Sequence, residues 1–219
     1  MIENKEHLPL VSCIMPTANR EKYIPFAIAY FLEQDYPDAE LVIVDDGLKS
    51  IQYLIPDHPK IRYFFVEPLG TIGVKRNYAC KKAKGDIIMH WDDDDWHAPD
   101  WISRQVNFLL ASGADICGIE HVHFFSPVRD TFWQGTPLNR KRATWLNGAT
   151  LAYWRRFWAL NPFQDRQTGE DDAFIRSPGA KIYAHEYIDG FVALLHPHNT
   201  TTKYFENPLH KKKEILTEK

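Results

Sequence analysis

Apolar stretches of strand length alternate with helical patterns through the first hundred residues of the chain. The strand candidates are residues 10–17, 39–47, 60–67 and 86–91, and the helix candidates are residues 22–34, a weak segment at 51–55, and residues 74–83. This alternation predicts an α/β fold with a mostly parallel central sheet and helices on both faces. With 219 residues, of which 44% are hydrophobic, the chain is long enough for one generous packed domain.

The regular alternation stops after residue 113. Residues 114–127 have the pattern of one strand, and residues 147–160 have the pattern of a strand followed by a short helix, with an aromatic-rich polar stretch between them. No linker, internal repeat or low-complexity tract separates the two parts. We therefore expect a single domain over residues 1–219, built from two unlike halves, 8–113 and 114–219.

Charge and cysteine content exclude several classes of protein. The formal net charge is −3, which gives no global electrostatic reason to bind nucleic acid. Three cysteines without CxxC spacing argue against a disulfide framework or a structural zinc site, and so favour a cytoplasmic protein.

We expect no signal peptide and no transmembrane segment. The basic residues 210–213 leave open a peripheral contact with the inner membrane surface.

Four consecutive carboxylates, Asp92 to Asp95, follow the strand candidate at 86–91. At about 4 Å each adjacent pair costs on the order of 4 kcal/mol in a surface-like dielectric, so the run must be solvated, protonated or neutralised. A solvated acidic loop is the simplest interpretation. Its place at a strand end favours a ligand site instead, because ligands of open α/β sheets lie beyond the carboxyl ends of the strands. Carboxylate oxygens suit Mn²⁺ or Mg²⁺.

Two further strand ends carry polar residues, in the segments PTANR (16–20) and VDDG (44–47). The P-loop motif GxxxxGK[ST] and the dinucleotide motif GxGxxG are both absent, so phosphate binding needs another device. A divalent metal between the carboxylates and a nucleotide diphosphate would neutralise both.

Four motifs occur in order along the chain: VSCIMPTANR (11–20), AELVIVDDG (39–47), GVKRNYACKKAKGDIIMHWDDDDWHAPD (73–100) and GEDDAFI (169–175). Together they resemble the nucleotide-sugar-dependent, inverting glycosyltransferases of family 2, which have the GT-A fold. The resemblance implies that residues 8–113 bind the nucleotide-sugar and residues 114–219 bind the acceptor.

The resemblance also implies roles for the residues of the first half. Asp46 would bind the uracil of a UDP-sugar, although its position before Gly47 also suits a simple turn. Asp92 to Asp94 would form the DxD element, with Asp93 near the ribose and Asp94 as the metal ligand. The nucleotide pocket would further be shaped by Pro16, Thr17, Asn19 and Arg20. Arg76 is either a helix surface charge or a phosphate or base contact.

In the second half, the resemblance makes Asp171 the general base, with Glu170 as its catalytic neighbour. The alternative for both is a favourable interaction with a helix dipole. His196 and His198, in the closing segment, would supply a metal ligand or a diphosphate contact.

The resulting expectation is a metal-dependent enzyme that moves a sugar from a UDP-sugar to a saccharide or glycolipid acceptor. We expect it to act in surface polysaccharide synthesis. Two other classes stay open at this stage. One is a metal-dependent nucleotidyltransferase or phosphohydrolase, and the other is a sugar-nucleotide binding module without turnover.

Overall fold

A computed structural model describes residues 8–135, 144–197 and 199, together with strand backbone at 204–206 and 213–215. Thirteen strands occur in this part of the chain: β1 Val11–Thr17, β2 Ala39–Asp45, β3 Ile61–Phe65, β4 Ile87–His90, β5 Trp96–His97, β6 Ile116–Gly118, β7 Val122–Ser126, β8 Thr131–Gly135, β9 Ala152–Trp154, β10 Ile182–Ala184, β11 Phe191–Leu194, β12 Tyr204–Glu206 and β13 Lys213–Ile215. The α-helices of the same part are α1 Ile24–Leu32, α2 Ile72–Lys82, α3 Trp101–Ser112, α4 Arg155–Leu160 and α5 Glu170–Ile175.

The central sheet has seven strands in the order β10-β6-β9-β4-β1-β2-β3. Strands β4, β1, β2 and β3 are parallel, β9 runs antiparallel between β4 and β6, and β10 is parallel to β6. The expected mostly parallel α/β sheet is therefore confirmed. Strand β1 has all seven residues buried because it lies in the middle of the sheet with both faces covered.

Each face of the central sheet packs on its own helices. Cys13 and Met15 of β1 lie in one hydrophobic cluster with residues of α1 and α3, whereas Ile14 lies in a second cluster with residues of α2, α4 and α5. Successive side chains of a strand point to opposite faces, so a continuous apolar run such as β1 supplies both clusters. Helices on both faces were expected from the sequence.

A second sheet of four strands, in the order β5-β11-β7-β8, stands beside the central one. It corrects the single strand expected over residues 114–127, which is two strands, β6 and β7, in different sheets. The strand is interrupted between β6 and β7 because the backbone of Ile119 bonds to the turn at 147–150. Its N–H donates to Thr150 Oγ1, and its carbonyl accepts from Asn147 N–H. The weak helix expected at 51–55 is one 3₁₀ turn, Gln52–Leu54.

Strands β12 and β13 form a separate antiparallel pair near the C-terminus. The basic segment at 210–213 lies outside the described residues except for the backbone of Lys213, so the expected membrane contact stays a prediction. Within the described residues, every helix is too short or too polar to cross a lipid bilayer.

Candidate functional site

A cleft of about 890 Å³ opens beyond the carboxyl ends of β1, β2 and β4. The strand ends supply one wall, and the turn at 147–149, the N-terminus of α5 and strand β11 supply the other. Fifteen of the residues that line it have polar side chains, and nine of these were expected from the sequence: Thr17, Arg20, Asp46, Arg76, Asp92, Asp93, Asp94, Glu170 and Asp171. Pro16 also lines the cleft, so most of the expected site residues lie around one space.

Arg20 neutralises the middle of the acidic run. Its Nη1 donates to Asp93 Oδ1 at 2.6 Å and to Asp94 Oδ2 at 2.7 Å. Thr17 Oγ1 donates to the other oxygen of Asp93 at 2.5 Å. Burial raises the pKa of Asp93 to about 6, although Arg20 opposes the shift. The guanidinium therefore holds two adjacent carboxylates that would otherwise repel each other.

Asp94 also contacts the closing segment of the chain. Its Oδ2 lies 2.8 Å from His196 Nε2 and accepts from Asn199 Nδ2 at 3.1 Å. Burial alone would raise the pKa of Asp94, but the hydrogen bond from His196 and the charge of Arg20 outweigh it and lower that pKa. His196 itself does not line the cleft and stacks on the ring of Tyr23 at 4.5 Å between centroids. His198 lies outside the described residues.

Asp95 contacts the backbone of strand β11. Its Oδ1 accepts from the backbone N–H of Leu194 at 3.0 Å, and the residue is 5% exposed. This bond fastens strand β11, which forms part of the opposite wall, to the acidic run.

Arg76 lies under the cleft and joins its two walls. It is 6% exposed, with Nη2 3.6 Å from Asp92 Oδ1 and Nη1 3.3 Å from Glu170 Oε1. Burial raises the pKa of Glu170; Arg76 opposes this shift and Asp171 adds to it. His90 Nδ1 is 2.9 Å from Arg76 Nη1, and burial together with this charge holds the pKa of His90 well below its usual range. Arg76 is therefore not a helix surface charge.

Asp46 forms an ion pair with Lys75, a residue that the sequence analysis did not single out. Lys75 Nζ contacts Asp46 Oδ1 and donates to the carbonyl of Thr17 at 3.3 Å, while Asp46 Oδ2 accepts from Leu69 N–H at 3.1 Å. A lysine within a helix is usually solvated, and nothing in the local sequence shows that this one points inward. Its position directly before Arg76, on a helix that enters the site, was the available signal.

Asn19 differs from the other residues expected in the nucleotide pocket, because it does not line the cleft. It adopts a positive φ of 54°, and its Oδ1 accepts from Leu48 N–H at 2.8 Å. The residue ties the turn after β1 to the turn after β2, and so supports the cleft wall from behind.

Asp171 lines the same cleft as the acidic run and lies in the first turn of α5. Its Oδ1 accepts from the backbone N–H of Asp172 at 2.8 Å, and no cation of the described residues lies within ion-pair distance of it. Asp172 points elsewhere, with both oxygens 2.9 Å from Arg176 Nε. Of the acidic residues in this turn, Asp171 is thus the carboxylate left available to the cleft.

Two side chains of this site are suited to bind a divalent metal. Asp94 Oδ2 and His196 Nε2 converge, and a carboxylate with an imidazole is a pair that Mn²⁺ accepts. The described residues contain no ready cluster of three such ligands. Arg20 Nη1 also contacts Asp94 Oδ2, so a metal held by Asp94 and His196 would need further oxygen ligands from outside the described residues to complete its coordination.

The protein has an α/β fold with a cleft beyond the carboxyl ends of parallel strands, which is where ligands of open α/β sheets bind. The chain belongs to glycosyl transferase family 2, whose sequence model matches residues 12–190. The resemblance seen in the motifs is confirmed. An O-antigen biosynthesis glycosyltransferase of Escherichia coli, WbnJ, is 27% identical over 117 residues, which are 51% of this chain and 46% of that relative. The chain spans about half the length, or less, of the curated relatives it matches.

Solved structures share the GT-A fold with this chain. S. aureus TarS in complex with UDP-GlcNAc superimposes with a TM-score of 0.68 at 21% identity, over 87% of this chain and 60% of TarS. A mannosyltransferase from Pyrobaculum calidifontis in complex with GDP-Man and Mn²⁺ gives a TM-score of 0.64 at 19% identity, over 87% and 57% of the two chains. At these identities the likeness establishes the fold.

Proposed function

We propose that this chain carries the catalytic site of an inverting glycosyltransferase that moves a sugar from a UDP-sugar to a saccharide or glycolipid hydroxyl. One observation carries the proposal: Asp171, a carboxylate without an ion-pair partner among the described residues, lines the same cleft as Asp46 and the acidic run. Inversion in one displacement needs a base on the acceptor side and a nucleotide site on the donor side.

In this mechanism Asp171 removes the proton of the acceptor hydroxyl as that oxygen attacks the anomeric carbon. The bond from that carbon to the diphosphate breaks, and UDP leaves on the opposite face. Arg76 holds Glu170 and Asp92 in place on the two walls, so that the base and the donor site keep their separation. Pro16, Thr17 and Asp46 would enclose the nucleoside, with Asp93 near the ribose.

The residues that would hold Mn²⁺ or Mg²⁺ are Asp94 and His196. A bound metal would act as a Lewis acid on the leaving diphosphate. The Mn²⁺ complex of the Pyrobaculum calidifontis mannosyltransferase, which shares the fold, supports the use of a divalent metal in this proposal.

The setting we propose is surface polysaccharide synthesis, supported by the O-antigen relative of Escherichia coli. The three cysteines are free and buried, which favours a cytoplasmic location. A contact of the basic segment 210–213 with the inner membrane surface belongs to the same proposal.

The test is an assay of UDP release with a panel of UDP-sugars, MnCl₂ and saccharide acceptors. We expect UDP to be released with at least one donor, faster when the acceptor is present. Release of inorganic phosphate or pyrophosphate would instead identify a phosphohydrolase or a nucleotidyltransferase. Tight binding of UDP without release from any donor would identify a binding module.

A further inference from the structure

His90 is a buried histidine at the end of β4, two residues before the acidic run. It is 1% exposed. Its backbone N–H donates to the carbonyl of Leu151 at 2.9 Å, and its Nδ1 lies 2.5 Å from the carbonyl oxygen of Gly148. Gly148 in turn packs directly on the carboxylate of Asp171. The strand that leads into the acidic run is therefore tied twice to the turn that contacts the proposed base.

The contacts of the His90 ring indicate which nitrogen carries the proton, since a neutral imidazole has one N–H donor and one acceptor. Nδ1 faces the Gly148 carbonyl at 2.5 Å and Arg76 Nη1 at 2.9 Å. If Nδ1 were the acceptor, its lone pair would meet that of the carbonyl oxygen at the shorter of the two distances. A proton on Nδ1 makes this contact a hydrogen bond, and Arg76 Nη1 keeps Glu170 Oε1 as a partner at 3.3 Å.

Tyr153 completes this assignment on the other side of the ring. Its hydroxyl is 3.3 Å from His90 Nε2 and 3.5 Å from Cys80 Sγ, and all three residues are buried. Burial and the charge of Arg76 hold the pKa of His90 well below its usual range, so the ring is neutral. With the proton on Nδ1, Nε2 accepts from the Tyr153 hydroxyl, and both ring nitrogens are satisfied without water.

We propose that His90 is a positioning residue for the transfer reaction, whose Nδ1–H bond to the carbonyl of Gly148 fixes the turn that orients Asp171. The inference rests on the proposed function, which makes Asp171 the base. His90 does not line the cleft, so it acts through the turn and not on a substrate. Loss of the bond should therefore lower kcat and leave UDP affinity unchanged, because misplacement of a reacting group by about 1 Å is costly.

Two amide variants separate the two ring nitrogens. The amide nitrogen of His90→Asn is bonded to Cγ, as Nδ1 is, and can still donate to Gly148. The longer His90→Gln places its amide near the position of Nε2, so it keeps a partner for Tyr153 and loses the bond to the turn. His90→Asn should keep kcat within about threefold of the parent, whereas His90→Gln should lower it about tenfold or more.

Tyr153→Phe is the control for the Nε2 side, because it removes the hydroxyl and keeps the ring; its kcat should stay within about threefold of the parent. UDP-release kinetics, UDP calorimetry and thermal unfolding are measured for all three variants. A merely structural role predicts kcat values that follow the loss of stability. Equal kcat in His90→Asn and His90→Gln, or a loss of UDP affinity in step with kcat, would overturn the inference.

The second measurement depends on no variant being active. In the parent chain with ¹⁵N-labelled histidine, two-bond ¹H–¹⁵N correlation spectra distinguish a protonated ring nitrogen from one with a lone pair. The His90 signals, identified as those missing from the amide variants, should show the proton on Nδ1 from about pH 5 to about pH 8. A proton on Nε2, or a charged ring, would overturn the inference and leave the proposed function standing. Failure of the parent to release UDP from any donor would overturn the proposed function and the positioning role with it, whatever the spectrum shows.

Discussion

Gly148 lies so close to Asp171 that a Cβ on the glycine would overlap the Oδ2 atom of the carboxylate. The turn that contains Gly148 and the first turn of α5 therefore approach each other only because position 148 has no side chain. The same turn reaches His90, whose Nδ1 is 2.5 Å from the carbonyl oxygen of Gly148. The orientation of the proposed base is thus set by a close backbone contact across the cleft wall.

Gly148→Ala should displace the carboxylate of Asp171 and lower kcat about tenfold or more, with UDP affinity nearly unchanged, because misplacement of a reacting group by about 1 Å is costly. Steady-state kinetics and UDP calorimetry measure the two effects. The control is the double variant Gly148→Ala/Asp171→Ser. If overlap with the carboxylate is the cause, Gly148→Ala should lower the free energy of unfolding much less in the Asp171→Ser background than in the parent. Equal costs in both backgrounds would contradict this origin.

Asp171→Asn should lower kcat by roughly 10²-fold or more, since general bases contribute about 10²–10⁴-fold. Asp172→Asn is a matched control one residue along, whose carboxylate pairs with Arg176 at the surface. It should keep most of the parental kcat, and neither change should alter UDP affinity. If Asp171→Asn retains more than about a tenth of parental kcat, the base is another group.

Removal of divalent metal should weaken UDP binding about tenfold or more, because the diphosphate would then face Asp92, Asp93 and Asp94 with Arg20 as the main compensation. Calorimetry of UDP in MnCl₂ and in EDTA measures the difference. Uridine, which lacks phosphates, is the control ligand and should bind equally in both. Equal UDP affinities in the two buffers would remove the metal from the proposal.

Arg76→Met should destabilise the fold by about 3–5 kcal/mol, since it leaves Asp92 and the buried Glu170 without their shared cation. Arg104→Met removes an exposed ion pair with Asp100 and should change stability little. Urea unfolding of both variants provides the comparison. A similar midpoint for both would show that the buried pairs contribute no more than the surface one.

His97 should make the protein less stable in acid. Burial lowers the pKa of His97 to about 3, whereas the unfolded chain takes up the proton below the ordinary value of 6.5. Between these values the unfolded state binds more protons, so stability falls with decreasing pH by about 1.4 kcal/mol per pH unit from this residue. His97→Phe, which can keep the stacking on Trp91, should remove that part of the slope between pH 6 and 4. Identical slopes for the two proteins would exclude His97 as a source.

The sequence predicted the half of the sheet that is built from continuous apolar runs. Strands β1 to β4 are such runs, and their polar ends converge because the carboxyl ends of parallel strands share one edge. The second sheet was not predicted, since β5, with two residues, and β11, with four, are defined by pairing between distant segments. Lys75 was missed for a related reason. Its inward direction depends on the contact between α2 and the end of β2, which no local pattern encodes.

Strand β9 has a consequence for how a protein of this kind could change its specificity. Ala152 of β9 is in register with Met89 of β4 on one side and with Cys117 of β6 on the other, so a strand from the second half of the sequence lies inside the sheet begun by the first. A cut at residue 113 would strip β4 of its neighbour directly before the acidic run and expose its unpaired backbone. The second half of the chain therefore cannot be exchanged as an independent module without disrupting the central sheet. If this half binds the acceptor, as proposed, new preferences would arise by single replacements around the cleft while the shared sheet stays intact.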